Sequence, residues 1–138
     1  MEEFINSSFN KLKRYVECQQ FKGWDPYDGL NSNIFQATPL KQWPFARLAW
    51  IQLFKRNPVN LRKLFMVPKG HNPKALGLFL TGYCNLYELA QQGEEQFGNP
   101  EEIKTKIQYL ADLLLELKTP GYSGACWGYN FDWQNRVF

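Results

Sequence analysis

The chain has 138 residues, 44% hydrophobic, 21% charged and 17% aromatic, a globular balance that excludes general disorder and stands out only for its ring content. Its formal charge of +3 comes from 16 basic and 13 acidic residues with no long basic stripe, so no nucleic-acid partner is expected. No run approaches the ~20 apolar residues of a membrane span, and no apolar leader follows the acidic Met1-Glu2-Glu3, so the expectation is a single cytoplasmic domain over residues 1 to 138.

Phe4, Ile5, Phe9, Leu12 and Val16 form a stripe opposite Asn10, Lys13 and Glu17, which predicts a peripheral helix over residues 3 to 19, covered on one side. Further starts are marked by Thr38-Pro39, Asn57-Pro58, Asn72-Pro73 and Asn99-Pro100, each a capping residue before a proline suited to the first helical position. These predict helices over 39 to 56, 58 to 66, 73 to 92 and 100 to 118. The Asn99 start is reinforced by Glu102 in capping-box position and by Glu101. The helices over 39 to 56 and 73 to 92 are apolar nearly all round, through residues such as Trp43, Phe45, Leu53, Leu76, Leu78 and Leu89, and should be covered on more than one side. The last helix carries Ile103, Ile107, Leu110, Leu114 and Leu117 on one face. Lys55, Arg56, Arg62 and Lys63 read as a solvated face.

Two loops between these elements concentrate Gly, Asp and aromatic residues. In Phe21 to Ser32, Asp25-Pro26 and Asp28-Gly29 are strong turn chemistry, which by itself accounts for both carboxylates. Alternatively, Trp24 and Tyr27 offer flat apolar faces beside Asp25 and Asp28, the equipment for holding a sugar ring. In Gly121 to Gln134, Trp127, Tyr129 and Trp133 either plug one end of a helical bundle or join Asn130, Asp132 and Gln134 in lining a pocket. Asp28 and Asp132 are the candidate catalytic carboxylates, since glycoside hydrolysis takes a pair separated by ~5–5.5 Å or ~6.5–9.5 Å. Whether the two loops meet depends on residues 58 to 72, whose crossing decides which end of the bundle each loop occupies. His71 lacks a partner for a nucleophilic triad, and Cys18, Cys84 and Cys126 have neither paired nor metal-ligand spacing. No metal or cofactor is therefore expected, and the thiols read as reduced and mostly buried.

Helices linked by such Gly/Trp/Asp loops resemble the α/α-toroid proteins, the group that includes six-hairpin glycosidases and terpenoid-cyclase-like folds. More narrowly, Phe21 to Ser32 and Cys126 to Phe138 are similar to a bacterial group associated with surface-polysaccharide synthesis. The resemblance implies an all-α fold of antiparallel helical hairpins forming part of an α/α toroid, with long Gly/aromatic loops and a link to carbohydrate. A complete toroid takes more helices than this chain supplies, so the chain is expected to be an N-terminal part of one. Its expected partners are a carbohydrate ligand and either a homo-oligomer or the missing C-terminal helices. The candidate ligand-binding residues are Trp24, Asp25, Tyr27, Trp127, Tyr129, Asn130 and Trp133. The expected function is a contribution to a carbohydrate site, with no activity expected of this chain alone. Its rivals are a noncatalytic interaction module and a glycoside-processing enzyme using Asp28 and Asp132.

Overall fold

The computed structural model describes residues 2–134, which are helical with no strand among them. Two compact units are present: residues 2–70 with 130–134, and His71–Tyr129.

In the first unit, α1 (Glu2–Cys18) ends where Gln20 and Phe21 adopt left-handed φ angles of 52° and 60°. Left-handed backbone costs a non-glycine residue about 1–2 kcal/mol. Phe21 offsets it by burying its ring to 5% exposure and donating its N–H to the Val16 carbonyl at 3.0 Å. The expected covered stripe of α1 is only partly covered: Phe9 and Val16 are half-buried, whereas Phe4 is 76% exposed and Leu12 60%.

The expected loop then contains structure of its own. A 3-10 turn (Asp28–Asn31) leads into the short α2 (Asn33–Gln36), capped by Ser32, whose hydroxyl accepts from Phe35 N–H and donates to the Phe65 carbonyl at 2.6 Å. The Thr38-Pro39 start yields only a 3-10 turn (Pro39–Gln42), and α3 (Pro44–Arg56) begins after it, at a second proline. Leu30, Phe35 and Ile51 form the core, with the Trp50 ring 4.9 Å from Phe35 and 5.1 Å from Phe65. Trp50 Nε1 donates to the Gly29 carbonyl at 3.0 Å, anchoring the turn to α3. A Cβ at Gly29 would lie 3.0 Å from the Phe54 ring, so a side chain there would have to displace that ring.

No helix forms at residues 58–66. Turns occupy this stretch, and it is held by polar bonds to residues 25–33 rather than by a helical ladder. Gly23 and Gly70 exchange both backbone hydrogen bonds at 3.0 Å, closing the strap at its far end.

The second unit is built on α4 (Pro73–Gln91) and α5 (Pro100–Glu116), which pack on each other, and Leu76, Tyr83, Ile103 and Leu110 are their buried apolar side chains. Both start as the sequence predicts, Asn72 accepting from Lys74 N–H at 3.0 Å and Asn99 from Glu101 N–H at 2.8 Å. Gly93, at φ 94°, ends α4: its N–H reaches the Ala90 carbonyl and that of Glu94 reaches Leu89, the paired bonds of a glycine C-cap. A 3-10 turn (Glu95–Phe97) leads to α5.

Cover on several sides is not what α3 and α4 receive. Phe45 is 82% exposed, Leu53 40% and Leu78 68%, because each helix finds close cover along only part of its circumference. The cysteines are free, but Cys18 is exposed and Cys84 and Cys126 are half-buried, since none of them faces a closed core.

Candidate functional site

In the first unit the two aromatic loops do meet. Asn31 Nδ2 donates to the Asn130 carbonyl at 3.0 Å, and the Tyr27 ring lies 5.1 Å from Trp133 and 6.5 Å from Phe131. Lys55 Nζ sits 4.7 Å from the centre of the same Tyr27 ring. Trp24 is likewise engaged: its Nε1 donates to the Val67 carbonyl at 2.9 Å, and Lys69 Nζ lies 4.7 Å from its ring centre while also bonding Gln19 Oε1. Both rings are half-buried, with protein groups already where a sugar would stack.

Asp28, a proposed catalytic carboxylate, is 3% exposed. Its Oδ2 accepts from Asp25 N–H at 2.9 Å and its Oδ1 from Arg62 Nε at 2.8 Å, so both oxygens are engaged. Arg62 Nη2 also donates to the Asp25 carbonyl at 2.8 Å. Burial, the largest influence, pushes the Asp28 carboxyl above its ordinary value of 3.8, against the lowering pull of the Asp25 N–H and of Arg62. Asp25 itself accepts from Tyr27 N–H at 3.0 Å, as turn chemistry requires. Arg62 is thereby removed from the expected solvated basic face, its side chain being only 11% exposed, because the buried Asp28 carboxylate needs a cation; Lys55, Arg56 and Lys63 remain exposed. Asp132 is exposed in the same unit. Asn130 is half-buried with its Oδ1 shielded and without a hydrogen-bond partner, and a Cβ at Gly70 would collide with its amide.

The other two candidate ligand-binding rings, Trp127 and Tyr129, wall a cleft of about 430 Å³ within the second unit. Trp127 Nε1 donates to the Leu114 carbonyl at 2.6 Å, and Thr119 N–H to the Cys126 carbonyl at 2.9 Å, folding the loop back on the end of α5 and presetting the indole. Trp127 remains 42% exposed and Tyr129 65%. The start of α4 also lines the cleft, through Asn72, Lys74 and Gly77. Nothing lies within 4 Å of a Cβ built on Gly77, so the cleft is open at this lining residue. This part of the lining was legible only indirectly. Asn72-Pro73 marks a helix start, and a glycine five residues into an otherwise strong helix has no local reason to be there. Three residues apart, Lys74 and Gly77 share a helix face.

No group of His, Cys, Asp or Glu able to hold a metal occurs among the described residues, and no described helix is long and apolar enough to cross a membrane. Comparison with known proteins found no matching family model, no matching curated protein and no matching solved structure.

Proposed function

We propose that this chain is a carbohydrate-binding helical module connected with bacterial polysaccharide metabolism, and that the sugar is held in the cleft of the second unit. The carrying observation is the cleft itself, about 430 Å³ and lined by both Trp127 and Tyr129 and by Asn72 and Lys74. A sugar ring offers C–H faces to aromatic rings and hydroxyls to amide and ammonium groups, and pockets of roughly 300–1,000 Å³ suit small ligands. Binding rather than hydrolysis is favoured because no carboxylate lines this cleft. Asp28, in the rival glycosidase reading, already has both oxygens bonded within the fold. The link to polysaccharide metabolism, and to part of an α/α toroid, is supported by the loop motifs alone.

Titration with neutral oligosaccharides, followed by Trp fluorescence and calorimetry, tests the proposal. Saturable binding should be lost in Trp127→Ala, and its persistence in that variant would remove the cleft from consideration.

A second reading, association with another copy of the chain, is favoured by the open apolar side chains of Phe4, Leu12, Phe45 and Leu78. Light scattering should then show mass rising with protein concentration; a strict monomer at high concentration defeats it.

A further inference from the structure

The geometry points to an acid-substituted saccharide as the ligand of the second unit's cleft, with Lys74 pairing the sugar carboxylate while Trp127 stacks on its ring. This rests on the carbohydrate-binding reading and narrows it to a substrate class. Among the residues lining the cleft, Lys74 is the one charged group, and it is a cation. Its ammonium is exposed and forms no salt bridge with an acidic side chain among the described residues.

The positions of the groups suit this division of labour. Lys74 stands in the first turn of α4, and Gly77, one turn further along the same face, leaves open space where a side chain would project. A ring seated over Gly77 therefore places a substituent toward Lys74, at the end of the helix whose dipole adds to the attraction for an anion. Trp127 is fixed by its bond to Leu114 before any ligand arrives, so stacking on it requires little reordering of the indole. A neutral sugar would use only the rings and the amide. A carboxylate adds a charge-assisted hydrogen bond, which at so open a position, screened by solvent, should strengthen binding about twofold to fivefold.

The test is calorimetry with two matched probe pairs, trigalacturonate and a glucuronate-containing tetrasaccharide, each against its methyl ester, in which the ring is kept and the charge removed. Wild-type protein, Lys74→Gln and Gly77→Leu are compared at low and high salt. Position 74 is exposed, and leucine is a better helix former than the glycine it replaces, so both variants should fold. The expected result is that at least one acid binds about twofold to fivefold more tightly than its ester, with the advantage shrinking in salt. Lys74→Gln should erase that advantage and leave ester binding unchanged, whereas Gly77→Leu should abolish binding of both forms. Equal binding of acid and ester by wild-type protein, or an acid advantage that survives Lys74→Gln, overturns the acidic specificity. In either case Gly77→Leu-sensitive binding still supports a sugar site. Absence of any binding that Gly77→Leu removes overturns both readings.

Discussion

At Asn57-Pro58 and at Asn72-Pro73 the chain makes the same local bond, an Asn Oδ1 accepting the N–H two residues on, at 2.9 Å and 3.0 Å. After Asn72 a helix of 19 residues follows; after Asn57 none does. What differs is downstream. Asn60 repeats the turn by accepting Arg62 N–H at 3.1 Å, and the Arg62 side chain is drawn to Asp28 and the Asp25 carbonyl. In α4, by contrast, Leu76 is fully buried against the helix pair, so burial and the helical ladder reinforce each other. A cap permits a helix, but tertiary partners decide whether the chain continues into one.

The contrast can be broken most strongly at Asp28. Asp28→Ala strands Arg62 without its carboxylate and frees the strap, and should cost about 3–5 kcal/mol in denaturant unfolding. A loss below about 1 kcal/mol would show that the strap is held by other groups. Acidity probes the same contact more gently. Because burial raises the Asp28 carboxyl above 3.8, the folded state holds this proton more tightly than the unfolded chain does. Its contribution to stability is full below that ordinary value and is lost as pH rises through the raised folded value. The stability of wild type relative to the non-titrating Asp28→Asn should therefore fall as pH rises across that window. A relative stability that instead climbs with pH would mean that pairing with Arg62 outweighs burial.

The smallest effects are expected at the caps. Asn72→Ala should cost about 1 kcal/mol, because the cap supports a helix that is part of a packed pair. Asn57→Ala should cost less, since only a turn depends on that bond, and equal losses by thermal unfolding would remove the distinction.

Much of the fold is legible in the residues. The all-helical class follows from the apolar stripes and capped prolines, and α1, α4 and α5 lie within two residues of their expected ends. Asn99 and Gly93 act as caps because their bonds are local and need nothing beyond a few neighbours. The candidate site was half legible: Trp127 and Tyr129 stand out as costly loop aromatics, whereas Asn72, Lys74 and Gly77 look like ordinary helix residues until the loop folds over them. Trp24 and Tyr27 stand out equally, yet their rings are engaged by Lys69, Lys55 and Trp133, contacts that span too much sequence to be read from spacing.

What the sequence determined by itself is the helical class, the principal helix starts and the places where aromatic loops interrupt them, because these depend on periodicity and on hydrogen bonds within a turn. Only the tertiary structure decided that residues 58–66 form a strap and that Asp28 is buried against Arg62. It also decided that the open aromatic wall lines one cleft with the start of α4. Each of these outcomes joins residues more than thirty positions apart, where a buried carboxylate must find its cation and a ring its wall whatever the local preferences are.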